Sequence, residues 1–191
     1  MIDIINEYDK HCERRSDIHE HLPTLKKYAE RCKHITEMGV RAVVSTWAFL
    51  AGKPKKMVCL DINYPTHTDN LTQEPKIQMA SRLAKKNGIE FEFIKGDSRL
   101  VDLEPTDLLF IDTDHTYKCL SEELKVQGNK ASKYIIMHDT SKGGLDYTIM
   151  NKLTRGDAMF KAIEEFIEEN PKWILKERFT NNYGLTVLER V

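Results

Sequence analysis

A chain of 191 residues, 40% hydrophobic and 31% charged, is long enough to bury one sizeable core and needs no second domain. Its formal net charge of -1 leaves no electrostatic footprint for nucleic acid or an anionic membrane, and no apolar run approaches the roughly 20 residues that span a bilayer. Met1 to Glu7 lacks the basic and apolar regions of a signal peptide, and Cys12, Cys32, Cys59 and Cys119 form no C-x-x-C pair, so a cytoplasmic protein with reduced, structural thiols is expected.

Ile4, Ile5 and Tyr8 predict a first helix as far as Glu13, interrupted by the run Arg14 to Asp17. A second helix, from about Leu22 to Lys33, tolerates Pro23 in its first turn and places Leu25, Tyr28, Ala29 and Cys32 on one stripe. Between them, His19 and His21 could make a metal pair, although histidines in a polar connector are more often solvated. This segment could also lie over the ligand edge of a sheet as a lid. His34 to Val40 reads as the first strand. Ser45 and Thr46 can cap the helix carrying Trp47, Ala48, Phe49 and Leu50, which Gly52 and Pro54 close.

A second strand, Met57 to Leu60, ends at Asp61, and Tyr64 to Thr72 reads as a loop. A helix from about Pro75 to Asn87 buries Ile77, Ala80, Leu83 and Ala84 and stops at Gly88. The third strand, Phe91 to Ile94, runs into Gly96-Asp97-Ser98, and Leu100 to Thr106 is a connector with room for one helical turn. The fourth strand, Leu108 to Ile111, ends in Asp112-Thr113-Asp114-His115-Thr116-Tyr117, followed by a helix from Tyr117 to Gln127. The fifth, Tyr134 to Met137, ends in His138-Asp139-Thr140. A loop containing Gly143, Gly144 and Gly156 follows, long enough to be functional. A last helix, Asp157 to Glu169, precedes two β-like runs, Trp173 to Phe179 and Leu185 to Leu188. The turn between them, Asn181 to Gly184, is a hairpin signal.

Five strands alternating with helices and closed by a hairpin predict an α/β, Rossmann-like three-layer sandwich with a mostly parallel sheet and an antiparallel carboxyl-terminal hairpin. One domain is expected over residues 1–191, with a helical cap at 1–33 and the core at 34–191. Each parallel strand ends in an acid: Glu37, Asp61, Asp97, Asp112 and Asp139. Ligands bind at the carboxyl ends of such strands, where acids can accept from ribose hydroxyls and an exocyclic amine, or hold a divalent cation. A competing reading makes Asp112 and Asp114 caps of the following helix. Neither G-x-G-x-x-G nor a phosphate loop is present, since only Gly39 precedes Val40 to Ser45. A nucleoside cofactor without phosphates, such as S-adenosylmethionine, needs neither.

The ordered set Glu37-Met38-Gly39, Asp61, Gly96-Asp97-Ser98, Ile111-Asp112-x-Asp114-His115-x-Tyr117 and His138-Asp139-Thr140 resembles the class I S-adenosylmethionine-dependent methyltransferases. It is most similar to the small bacterial and phage group that includes macrocin O-methyltransferase and cephalosporin-hydroxylase-like proteins. The resemblance runs from about Ile35 to Asp139. It implies a cofactor site at Glu37, Gly39, Ser45, Asp61, Gly96, Asp97, Ser98 and Asp112, with Glu37 and Gly39 at the methionine end, Asp61 on the ribose and Asp97 with Ser98 beside the adenine. It implies catalysis by Asp112, His115 and His138, with His115 as base, and a divalent cation such as Mg²⁺ on Asp112, His138 and Asp139. Val43 and Val44 stand where relatives often carry glycines and would crowd the cofactor's approach.

The resulting expectation is O-methylation of a small hydroxylated acceptor, with a sugar as one candidate. Two other readings stay open. One is a nucleoside-binding regulatory protein without turnover; the other is a nicotinamide-dependent oxidoreductase, supported by Asp61 alone. For His115 a helix cap, and for His138 a satisfied strand-end position, are the bland alternatives. The expected partner is a small-molecule acceptor rather than nucleic acid or membrane, with a homo-oligomer left open.

Overall fold

The computed structural model describes residues 2–70, 72–141, 143–150 and 152–191. Met1, Leu71, Lys142 and Asn151 lie outside the described residues, so the leader and loop expectations that touch them apply to their neighbours only. The chain forms two compact units, Met1–Asp97 and Ser98–Val191.

In the first unit, helix α1 (Ile4–Glu13) is capped by Asp3, whose carboxylate accepts from Asn6 N at 2.9 Å. A single 3-10 turn (His19–His21) leads into α2 (Leu22–Ala29), which is shorter than its apolar stripe suggested. The chain tightens there because Arg31 N and Cys32 N bond to Tyr28 O and Ala29 O, an i to i+3 pattern that turns it toward the sheet. Strands β1 (His34–Met38), β2 (Lys56–Asp61) and β3 (Glu90–Lys95) pair in parallel in the order β3-β2-β1, with helices α3 (Ser45–Ala51) and α4 (Lys76–Lys86) between them. The α3 sequence reads as a stop at Gly52, yet its φ of -73° is not left-handed. The glycine is needed for proximity instead, since a Cβ there would lie 2.4 Å from the Cβ of Ala29.

In the second unit, β4 (Thr106–Ile111) and β5 (Ala131–His138) are parallel neighbours, joined through α5 (Tyr117–Gln127). After α6 (Arg155–Glu169) the hairpin strands β6 (Trp173–Phe179) and β7 (Leu185–Arg190) complete the order β4-β5-β7-β6, with β7 antiparallel to both its neighbours. The connector before β4 has only a turn near Ser98 to Leu100, and Gly156 belongs to the first turn of α6 rather than to the loop before it. Leu108, Phe110, Ile135, Ile136, Ile163, Val187 and Leu188 are all buried. Their apolar faces hold this unit together at roughly 1.5–3 kcal/mol for each large side chain.

Among the described residues there are seven strands, mostly parallel with an antiparallel carboxyl-terminal pair, which is the Rossmann-like α/β fold expected. None of the four cysteines is joined in a disulfide. Among the described residues no helix is long and apolar enough to cross a membrane.

Candidate active site

Leu108 to Ile111 on β4 and Tyr134 to Met137 on β5 are buried, and the two strands run in register with Phe110 opposite Ile136 and Ile111 opposite Met137. Where the sequence turns polar, that register delivers Asp112 and His138 side by side at the carboxyl ends of the strands. His115 Nε2 lies 3.2 Å from Asp112 Oδ1 and 3.0 Å from Asp139 Oδ2. His138 Nδ1 lies 3.3 Å from Asp112 Oδ1 and 3.1 Å from Asp139 Oδ2. Each imidazole therefore bridges the same two carboxylates. The other nitrogen of His138, Nε2, is 3.1 Å from the carbonyl oxygen of Asn182 in the β6–β7 turn.

Burial works against charge at all four groups, and their mutual contacts overcome it. Burial raises the carboxyl of Asp112, but hydrogen bonds from the two imidazoles win and hold it at about 2. The same balance holds Asp139 well below the usual carboxylate range. Burial pulls His115 and His138 down, yet bonding to the two carboxylates lifts them to about 9 and about 10. Without a cation, the cluster at neutral pH is two carboxylates facing two imidazolium rings.

A divalent cation fits the donors. The Asn182 carbonyl can only accept, so the Nε2 that meets it carries hydrogen. Nδ1 of His138 then faces two carboxylate oxygens and needs either a proton or a cation. Metal-binding histidines commonly donate their second nitrogen to a carbonyl in this way. Asp112, His138 and Asp139 each offer one ligand atom, all within 4.8 Å of one another. Two carboxylate oxygens and one imidazole nitrogen suit a divalent ion.

Neither Asp112 nor Asp114 caps α5. The cap is Thr116, whose hydroxyl accepts from Cys119 N at 3.3 Å, and exposed Asp114 only accepts from the Thr116 hydroxyl at 3.1 Å. Tyr117 N, in the first turn, donates instead to Asp146 Oδ2 at 2.6 Å from the β5–α6 loop. Asp146 is buried, and bonds from Thr148 and Tyr117 outweigh that burial to keep its carboxyl below the usual range. Ser98, expected beside an adenine, is buried with its hydroxyl donated to Glu123. Thr113 donates to the same carboxylate at 2.8 Å, so one buried acid on α5 holds both Ser98 and the tip after β4.

In the first unit, Glu37 is fully buried on β1 and accepts from the hydroxyls of Ser45 and, at 2.7 Å, Thr46. Those hydroxyls were expected to cap α3, but Val44 occupies its N-cap with no side-chain bond. Asp61 accepts from Val40 N and Arg41 N at 2.9 and 3.0 Å through Oδ2, and from Asn63 N at 2.9 Å through Oδ1. Of about four acceptor positions on a carboxylate, one stays open for a ligand hydroxyl. Gly39 has φ 88°, and the left-handed backbone continues at Arg41 (36°) and Val43 (59°). Backbone strain in this loop therefore falls on Arg41 and Val43. Gly96 N bonds to Asp61 O at 2.9 Å, and Asp97 is half-exposed just beyond β3. Asp17, in the connector after α1, pairs with Arg41 at 2.9 Å, so the segment proposed as a lid touches this loop. His21 is buried rather than solvated, and His19 Nδ1 meets Ser16 O at 2.8 Å.

Residues 30–190 match the model of the family described as Rhamnosyl O-methyltransferase/CmcI. The chain belongs to this family. The methyltransferase resemblance read from the sequence is thereby shown. No curated protein matches the sequence closely enough to stand as a relative. Solved structures similar to this chain include an S-adenosylhomocysteine-bound methyltransferase from Podospora anserina, at 18% identity and TM-score 0.57, covering 98% of this chain and 87% of that one. An O-methyltransferase from Bacillus cereus in complex with S-adenosylhomocysteine follows at 16% and 0.58, covering 98% and 90%. A putative caffeoyl-CoA O-methyltransferase from Staphylococcus aureus stands at 15% and 0.58, covering 98% and 100%. At such identities the likeness shows the shared fold.

Sequence reasoning missed Glu123, Asp146 and the Asn182 carbonyl in this family member. Glu123 and Asp146 lie 25 and 29 positions from Ser98 and Tyr117, and Asn182 44 from His138. The one local signal was Glu123 on the same helix face as the buried Leu120 and Leu124 neighbours.

Proposed function

We propose that this chain transfers a methyl group from S-adenosylmethionine to a hydroxyl of a small polyhydroxylated acceptor such as a sugar, with a divalent cation on Asp112, His138 and Asp139. The observation that carries this reading is the cluster of Asp112, His115, His138 and Asp139 at the carboxyl ends of β4 and β5, in a member of an O-methyltransferase family. When bound, the cofactor supplies a methyl group on a sulfonium, and the cation lowers the pKa of a hydroxyl oxygen.

Exposure separates the two histidines. The side chain of His115 is 31% exposed and that of His138 is 1%, so only His115 can meet an arriving hydroxyl. In the cation-free cluster, burial notwithstanding, His115 is held protonated by its two carboxylates. Once those carboxylates are neutralised, that lift goes and Nε2 can accept a proton. Nε2 of His115 is the atom that would take the acceptor's hydroxyl proton, with the sulfonium cofactor supplying the methyl group to that oxygen. Asp112 and Asp139 orient the acceptor, and His138 stays with the cation. Glu37 and Gly39 are the proposed methionine contacts, with Asp61 for ribose and Asp97 for adenine. The bound nucleosides of the Podospora and Bacillus proteins support that choice of cofactor.

The test is transfer of labelled methyl from S-adenosylmethionine to a panel of free sugars and glycosides, with and without chelator. Transfer that chelator abolishes and His115→Ala lowers by about 100-fold or more is expected of a lost base. No transfer to any hydroxylated acceptor, with no binding of the nucleoside, would overturn the reading.

A further inference from the structure

We propose that His138 makes this centre selective for a later divalent first-row transition ion, such as Co²⁺, over Mg²⁺ and Ca²⁺, and that the β6–β7 turn fixes the imidazole in the tautomer this requires. The inference rests on the cation reading of the cluster and is independent of the acceptor and the nucleoside.

The first ground is the donor set. Asp112 and Asp139 offer oxygen, which every hard divalent ion accepts, but His138 offers nitrogen. Mg²⁺ and Ca²⁺ are bound through oxygen, and Mg²⁺ gives up its waters reluctantly. Imidazole suits the later divalent ions of the first row, whose affinities also exceed that of Mn²⁺ in a fixed order. His138 is 1% exposed, so a water cannot stand in for its nitrogen.

The second ground is the clamp on the ring. With Nε2 donating to Asn182 O, Nδ1 is the nitrogen that faces the carboxylates, where a cation would take the place of its proton. The carbonyl belongs to a turn in which Asn182, Tyr183 and Gly184 take φ of 44°, 69° and 95°. Runs of left-handed backbone persist only where surroundings hold them, and here Ser141 does so. Its N–H donates to Tyr183 O at 2.9 Å and its hydroxyl to Thr180 O at 3.0 Å. A Cβ on Gly184 would lie 2.5 Å from Ser141 Oγ, so the turn sits against the chain three residues beyond His138. The Asn182 carbonyl cannot swing away, and the ring cannot flip without losing its acceptor.

The experiment titrates Mg²⁺, Ca²⁺, Mn²⁺ and Co²⁺ separately into the metal-stripped full chain by calorimetry, then records pulsed EPR of the Mn²⁺ form. Co²⁺ should bind about 100-fold more tightly than Mg²⁺, with Mn²⁺ between them, and the Mn²⁺ signal should show ¹⁴N coupling. His138→Gln, which keeps a donor for Asn182, should lose that coupling and narrow the Co²⁺-to-Mg²⁺ ratio about 10-fold or more. Melting in chelator checks that the variant folds; if it does not, the wild-type EPR alone decides. Mg²⁺ binding as tightly as Co²⁺, absence of ¹⁴N coupling, or coupling that survives His138→Gln and vanishes in His115→Gln would overturn the proposal. S-adenosylhomocysteine binding in the same samples reports the methyltransferase reading separately, so either can fail alone.

Discussion

Asp139 Oδ2 lies 3.1 Å from Nδ1 of His138, the residue immediately before it, and Asp139 itself stands at φ 60°. A left-handed residue at a strand's end turns the chain sharply, and aspartate tolerates that region better than most side chains. The turn leaves the side chains of the consecutive residues His138 and Asp139 facing Asp112 and His115.

This arrangement makes stability depend on pH in a defined direction. Without a cation, His115 and His138 titrate at about 9 and about 10 in the folded chain, raised from the ordinary 6.5. Their contribution is therefore complete below about pH 6.5 and is lost as pH climbs through 9 to 10. Asp112, lowered to about 2 from 3.8, contributes above its ordinary value and loses that as pH falls toward 2. Melting temperatures in chelator should decline from about pH 6.5 to 10, and Asp112→Asn should flatten the decline. Parallel curves for the two proteins would show that the four groups are not coupled.

Glu37, beside its proposed place at the methionine end of the cofactor, is a buried brace for the start of α3. Removing its carboxylate strands the hydroxyls of Ser45 and Thr46 at the start of α3. Glu37→Ala should cost about 2–4 kcal/mol and Glu37→Gln about half as much, since hydrogen bonds to a charged acceptor outrank neutral ones. Urea denaturation of the cofactor-free protein measures both.

The loop after β1 keeps left-handed backbone at residues poorly suited to it. Arg41 is 74% exposed in its side chain, and its pair with Asp17 is a surface one. Arg41→Gly relieves about 1–2 kcal/mol of backbone cost against a weak ion pair of under about 1 kcal/mol and glycine's greater unfolded entropy of up to about 1 kcal/mol. Stability should stay within about 1 kcal/mol of the parent in urea melts. Val43→Gly should lose more, because Val43 is fully buried.

Gly52 carries the close approach of α3 to α2. Gly52→Ala places a methyl 2.4 Å from the Ala29 Cβ and should cost about 1–3 kcal/mol by overpacking. Ala29→Gly in the same chain should recover part of it. Additive losses in the double variant would show that the two positions do not compete for one space.

The strands and most helices were legible because apolar runs and polar tips are local signals. Tyr117 to Gln127 reads directly as α5, and the Asn-rich turn before Gly184 reads as the hairpin. The cluster was legible in its members, as Asp112, His115, His138 and Asp139 all stand at strand ends. Its closure was not, because the carbonyl that orients His138 comes from a turn whose side chains say nothing about where its backbone points. Ser45 and Thr46 illustrate the same limit. Hydroxyls beside a helix start look like caps until a buried acid eight or nine positions earlier claims them. Arg41 misled in another way, since a long polar residue gives no sign that its backbone takes a glycine's conformation.

The most direct measurement is calorimetric titration of S-adenosylhomocysteine into the full chain, repeated with Asp61→Ala. Binding at one site per chain, weakened about 10-fold or more when the carboxylate that can meet the ribose is removed, is the predicted result. A flat titration with the folded wild-type protein would contradict the account.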